Sequence, residues 1–344
     1  MRMRRLGNSG LFVSELAFGT MTFGGQHGYQ HVGTVSVAEA TELVGMCLDV
    51  GVNYFDTADT YSGGHSEEVL GAALGRRRAD VIVSTTVRWA VPGQPSGPND
   101  QGLSRHHILR AVEGSLRRLG TDYIDLYQVQ GWDGRTPWEE TLRALDDLVR
   151  AGKVRYLGAS NLSAWQLTQA LGVSERRMLE RFIVHQVQYN LVSREVEWEL
   201  LEMAEAEGVG ITCWSPLAGG FLAGQQRRGQ GAPRGTRRAL GHFDPADETQ
   251  AFDALEVTRE IAGKRGVSPA QVAIRWLLER PQVSSVIIGA RNATQLADNL
   301  GALTWELDDD QRAILDVVTE PMLPYPFWHQ RMAGAALPGR AVHG

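Results

Sequence analysis

Cysteine is nearly absent from this chain: Cys47 in an apolar helical pattern and Cys213 in an apolar strand pattern are its two thiols in 344 residues. Two cysteines build no disulfide framework, and neither stands at a metal-ligand spacing. A reducing cytoplasm is therefore the expected setting, and no metal site is expected. Long apolar runs are missing as well. No stretch approaches the roughly 18 apolar residues of a membrane span, and the basic start MRMRRLGNSGLFVSEL lacks the apolar core and cleavage site of an export signal. A formal net charge of −6 argues against nucleic acid as the main partner, despite a basic stretch between Arg227 and Arg238. Absent too is a G-x-G-x-x-G turn after an early strand with an acidic residue about 20 positions later, which removes the doubly wound dinucleotide-binding sheet from consideration. The expected partner is a small-molecule substrate, with a homo-oligomer left open and neither nucleic acid nor membrane involved.

What is present is a repeat of buried strand and amphipathic helix. Strands are expected at Leu16 to Phe18, Asn53 to Asp56, Val81 to Thr86, Tyr123 to Gln130, Val154 to Ala159, Ile183 to Gln188, Gly210 to Trp214 and Ser285 to Ile288. Helices are expected from about Val37, Ser66, Ser104, Pro137, Ser163, Val196, Thr249 and Ala293, with Ser66, Ser104 and Ser163 as capping residues. Eight strand–helix units predict an α/β fold, a closed parallel (β/α)8 TIM barrel, and one such domain accommodates residues 1–344. Three segments lie outside the repeat. Arg4 to Val13 reads as a hairpin plugging the barrel bottom, Ala218 to Asp247 as a long loop after the seventh strand that suits a lid, and Leu307 to Gly344 as a C-terminal extension. Its aromatic stretch Pro324-Tyr325-Pro326-Phe327-Trp328 suits either a pocket wall or packing on the barrel.

The segments RRLGNSGLFVSELAFGTMTFGG, GVNYFDTADTYSGGHSEEVLGAAL, LRRLGTDYIDLYQVQGWD, GKVRYLGASNLSAWQL, HQVQYNL, GITCWSPLAGGFLAG and VIIGARNATQLADNLGA occur in this order. Together they resemble the aldo-keto reductases, in the branch of bacterial secondary-metabolite sugar reductases and potassium-channel β-subunits. The resemblance implies a cleft at the C-terminal ends of the strands that holds NADP(H). It assigns the nicotinamide amide to Ser160, Asn161 and Gln186 and the ring-stacking face to Trp214, residue types that supply fixed donors, acceptors and a π surface. Gly19, Thr20, Met21 and Asp56 fall at the same end. Ser215, Leu217 and Gly219 are assigned to the pyrophosphate, with Arg237 above it. Gly289 and Arg291 open a helix suited to the adenosine 2′-phosphate, and Gln295 and Asn299 follow one and two turns along the same face.

The resemblance also implies a catalytic set of tyrosine, lysine, aspartate and histidine. Tyr61 and Asp56 occupy two of these positions. The lysine position falls on Thr86 and the histidine position on Gln130. A phenol has a reference pKa of about 10 and needs a nearby cation to act as an acid near neutrality, and neither replacement carries charge. Residues i and i+2 of a strand share a face, so if the strand continues Arg88 is expected beside Thr86 as a substitute cation or an anchor for an anionic substrate, and otherwise as a solvent-facing arginine in a loop. Trp89, Trp132 and the C-terminal aromatics suggest a wide pocket for a ring-containing substrate. Three functions compete: reduction of a carbonyl, conjugated alkene or iminium; an NADP(H)-binding pseudoenzyme, sensor or regulatory subunit; and non-redox chemistry with Asp56 as base.

Overall fold

The computed structural model describes residues 1–94, 96–231 and 247–335. Strands β1 (Met3–Arg5) and β2 (Phe12–Ser14) form an antiparallel hairpin. The next eight strands are β3 (Leu16–Gly19), β4 (Tyr54–Asp56), β5 (Ile82–Val87), β6 (Ile124–Gln130), β7 (Val154–Ser160), β8 (Phe182–Gln188), β9 (Gly210–Trp214) and β10 (Val283–Ile288). They pair in parallel, each with the next, and β10 closes on β3 with Val286 opposite Leu16. This is the (β/α)8 barrel, with strand positions within a residue or two of those read from the sequence.

Alternation along each strand sorts side chains between two cores. One lies between barrel and helices. The other fills the barrel interior with Ala17, Tyr54, Leu126, Val184 and Ile287, and includes Leu6 and Val13 from the hairpin region. The hairpin is therefore a plug, as expected. Gly7 makes the fit possible: its φ is +58°, and a Cβ there would stand 2.5 Å from the Ile183 carbonyl oxygen and 2.6 Å from the Gly210 nitrogen.

The outer layer comprises α1 (Val37–Asp49), α2 (His65–Leu74), α3 (Arg105–Leu119), α4 (Trp138–Arg150), α5 (Ala164–Arg177), α6 (Leu200–Glu207), α7 (Glu248–Arg265), α8 (Pro269–Leu278), α9 (Ala293–Gly301), α10 (Asp309–Val318) and α11 (Phe327–Ala335). Local chemistry starts several of them. Ser36 and Glu39 form a capping box for α1, and the Ser104 hydroxyl accepts from the His107 N–H in α3. Ser66 departs from expectation. It lies inside α2, where its buried hydroxyl donates to the Thr20 carbonyl and meets the Thr20 and Thr57 hydroxyls, while Gly64 holds the cap position.

Helix α8 was not expected as a separate element. Eight of its ten residues are buried, and its polar side is short, Gln271 and Arg275 one turn apart, although Ser268 caps it and Pro269 opens it. The C-terminal aromatics do not wall the cleft: Tyr325 is 75% exposed and Trp328 45% exposed. Arg237 and half of the long loop, residues 232–246, lie outside the described residues. No helix among the described residues is long and apolar enough to cross a membrane.

Candidate active site

A cleft of about 960 Å³ opens at the C-terminal ends of the strands. Its floor is set by strand alternation. On β5 the Thr85 hydroxyl donates outward to Glu67 on α2, so Ser84 and Thr86 point into the barrel. On β6 Gln128 reaches Ser84 and Asp56 through its amide nitrogen, which puts Gln130 on the same interior face. Asp56 ends β4, lines the cleft and is 4% exposed.

Asp56 meets amides where the resemblance implies an ammonium. Its Oδ1 accepts from Gln186 Nε2 at 2.8 Å and from Gln128 Nε2 at 3.3 Å. Burial pushes its pKa up to about 7, against the opposing pull of the Gln186 and Ser84 hydrogen bonds. Around it, Thr86 Oγ1, Gln128 Oε1 and Gln130 Oε1 are buried without a hydrogen-bond partner. No lysine can be borrowed, because the chain has only Lys153 and Lys264, and these pair with Glu113 and Glu260. Nor does the histidine on β8 serve. Burial lowers the pKa of His185 to about 3, and its Nε2 accepts from the Leu162 N–H at 3.1 Å, steadying the turn after Ser160.

Tyr61 lines the cleft at the start of a short 3-10 turn, Tyr61–Gly64, its ring 6.0 Å from that of Tyr29. Arg88 does not line it. Strand β5 ends at Val87, so the alternation no longer governs Arg88. Its Nη1 donates to the Gln130 carbonyl at 3.2 Å, and its guanidinium lies over the Trp89 ring at 3.9 Å. Thr86 is buried behind the cleft surface. Thr20 is likewise buried, against Ser66, rather than exposed with Gly19 and Met21. Trp89 lines the cleft, whereas Trp132 packs against Trp138 and Trp165.

The opposite half is already hydrogen-bonded. Asn161, at φ +55°, donates from Nδ2 to Ser160 Oγ at 2.8 Å and accepts from Trp214 Nε1 at 3.0 Å. Ser215 Oγ accepts from the Gly219 N–H at 3.1 Å, and Ser215 and Leu217 line the cleft beside it. Gly220 faces open space in the same wall, an opening that a side chain would fill. At the far end Arg291 donates from Nε to the Val32 carbonyl at 2.7 Å and from Nη2 to the His31 carbonyl at 2.9 Å. Gln295 accepts from the Arg291 N–H, and Asn299 donates to the Gly289 carbonyl, so both amides brace the loop. An elongated cleft with amide-reading groups at one end, backbone glycines in the middle and a guanidinium at the other fits a nicotinamide dinucleotide.

Gln128 and Tyr29 were missed in the sequence. Gln128 carried a signal, since it alternates with apolar residues and shares the Gln130 face; its contact depends on Gly158 opposite, where a Cβ would stand 2.8 Å from Gln128 Cγ. Tyr29 lies on a loop, where no periodicity marks it.

Residues 15–320 match the sequence profile of the Aldo/keto reductase family. Similar proteins include a probable voltage-gated potassium channel subunit beta from Oryza sativa subsp. japonica, 43% identical over 312 residues, covering 88% of this chain and 91% of that one. An uncharacterized oxidoreductase, YrpG, from Bacillus subtilis (strain 168) is 36% identical, covering 93% of this chain and 97% of its own. Versiconal hemiacetal acetate reductase from Aspergillus parasiticus is 34% identical, covering 94% and 98%.

Proposed function

Because the chain belongs to the aldo/keto reductase family, we propose that it is an NADPH-dependent oxidoreductase reducing a carbonyl, conjugated alkene or iminium of a ring-containing small molecule. The observation that carries this reading is the gathering of Ser160, Asn161, Gln186 and Trp214 beside Asp56 and Tyr61 in one cleft. The nicotinamide, when bound, supplies the hydride. Ser160, Asn161 and Gln186 hold its carboxamide, Trp214 offers the stacking surface, and Arg291 at the far end of the cleft supplies the guanidinium that complements a 2′-phosphate. Trp89, Tyr29 and Pro92 give the substrate end apolar, ring-sized walls. Two buried, unpaired cysteines suit a cytoplasmic setting.

Proton supply limits the substrate. Thr86 gives Tyr61 no cation, whereas Asp56 holds a proton at its carboxyl to near neutrality. Substrates that develop little negative charge on reduction, an iminium above all, lose least from this arrangement. Simple aldehydes are therefore reduced slowly. Thr86 and the plant relatives named as potassium channel β-subunits favour a second reading, a nucleotide-binding regulatory subunit with negligible turnover.

Two measurements test the proposal. Fluorescence titration with NADPH and NADH is expected to show preference for NADPH, mostly lost in Arg291→Ala; equal affinities in the parent protein would remove the phosphate-site assignment. NADPH oxidation across a panel of aldehydes, enones and cyclic iminium ions separates the readings. Tight cofactor binding with no oxidation of any class selects the regulatory subunit.

A further inference from the structure

A second cavity, of about 620 Å³, lies at the other end of the barrel, under the hairpin. Strand β10 joins the two sites: Val283, at its start, borders this basin, while Ile287 and Ile288 border the cleft. Six arginines and two glutamates line the basin. In a chain with a net charge of −6, that is a strong local reversal of sign.

The carboxylates are oversubscribed. Glu279 serves Arg275 at 2.7 Å and Arg312 at 2.9 Å, Arg312 also pairs with Asp309 at 2.8 Å outside the basin lining, and Glu306 serves Arg2 at 2.8 Å and Arg275 at 3.5 Å. Arg4 is a structural strut, donating to the Leu278 and Val283 carbonyls and facing Glu15. Arg280 pairs with Asp316, yet its Nε is buried without a partner. Arg5 donates to the Ser9 carbonyl and has no ion pair among the described residues. Crowding of like charge is visible at Arg4, whose pKa is lowered chiefly by burial, partly restored by Glu15, and lowered further by Arg2 and Arg275.

We propose that this basin binds a small anion carrying two or more phosphate groups. Its guanidinium groups arrive from the hairpin, from the end of α8 and from α10, so they approach an occupant from several directions. Tetrahedral phosphates present acceptors in all of these directions, whereas one planar carboxylate satisfies a single fork. The site is independent of the cofactor cleft and of the proposed reaction.

Calorimetric titration of the full chain with tripolyphosphate at physiological ionic strength tests it. The expected result is saturable one-to-one binding, weakened about 10-fold or more in Arg2→Ser/Arg5→Ser, whose side chains are solvent-facing. Glu306→Gln, which removes a wall carboxylate, is expected to bind several-fold tighter, a gain that misfolding does not produce. Arg291→Ala keeps parent affinity. The proposal is overturned by absence of saturable binding, by unchanged affinity in both basin variants, or by loss in Arg291→Ala with retention in Arg2→Ser/Arg5→Ser. Preference for a hexaglutamate peptide over tripolyphosphate also overturns it.

Discussion

Asp56 and Glu67 are both buried carboxylates held against β5, one inside the barrel and one outside it. Glu67, 0% exposed, receives Arg118 Nε at 2.6 Å and the Thr85 hydroxyl at 2.6 Å. Among the described residues Asp56 receives only neutral donors, two glutamine amides and a serine hydroxyl. The adjoining residues Thr85 and Thr86 thus face two different electrostatic designs. Outside, a buried charge is paired and ties α2 to α3. Inside, the charge itself becomes titratable near pH 7 because no cation accompanies it. The difference teaches that the outer pair serves the fold, while the inner carboxyl leaves its protonation state open to the cleft.

Breaking the outer pair should have the largest effect. In Arg118→Met, Glu67 is left buried without its cation, beside Asp59, whose pKa is raised by burial and then by Glu67 and is lowered in part by Arg118 itself. A loss of about 3–5 kcal/mol in urea denaturation is expected. A loss below about 1 kcal/mol would show that water reaches Glu67 and that the two carboxylates do not differ as described.

The inner carboxyl predicts a pH signature. Its folded pKa lies above the unfolded value, so the folded state binds the extra proton. Its stabilising contribution is complete below the unfolded pKa, is lost as pH rises from about 4 to about 7, and stays lost above that. Asp56→Asn keeps an oxygen acceptor and abolishes the titration. Relative to the parent, the variant should gain roughly 3–4 kcal/mol between pH 4 and pH 7.5, an upper bound set by 1.36 kcal/mol per pKa unit. A pH-independent difference between the two proteins would refute the raised pKa.

Supplying the inner cation erases the contrast. Thr86→Lys with Gln130→His places an ammonium beside Asp56 and fills positions where Thr86 Oγ1 and Gln130 Oε1 lack partners. Reduction of simple aldehydes should rise about 10²-fold, the lower range for a tuned general acid. Steady-state NADPH oxidation across pH measures it. A folded, cofactor-binding double variant without that gain would favour the regulatory reading.

The barrel was legible because its signals are local: apolar runs, caps at Ser104 and Ser163, and a repeat of strand and helix. Helix α8 escaped because eight of its ten residues are buried, which leaves a mainly apolar run whose polar side is only Gln271 and Arg275. The placing of Arg88 beside Thr86 depended on the strand continuing, because the i, i+2 rule holds only within it, and β5 stops at Val87. The resemblance could assign Thr86 and Gln130 to the lysine and histidine positions. It could not show what fills their place, because Gln128 reaches Asp56 only through a gap left by Gly158 on the neighbouring strand.

The smallest effect should come from Gln128→Met, which alters the inner site without adding charge. Gln128 Nε2 donates to Ser84 Oγ at 2.7 Å and more distantly to Asp56 Oδ1 at 3.3 Å, while its Oε1 has no partner. Methionine has a similar length, so the space beside Gly158 stays filled. Losing the donor removes one support of the carboxylate, but losing the unsatisfied oxygen removes a cost of burial. Net stability should therefore change by no more than about 1 kcal/mol. The sign on Asp56 is unambiguous: a carboxylate deprived of a donor holds its proton more firmly, so its pKa rises. The stability difference between Gln128→Met and Gln128→Met/Asp56→Asn, followed across pH, should level off at a higher pH than the corresponding difference in the parent. An unchanged midpoint would mean that Gln186 and Ser84 alone set the protonation of Asp56, and that the long amide contact contributes nothing.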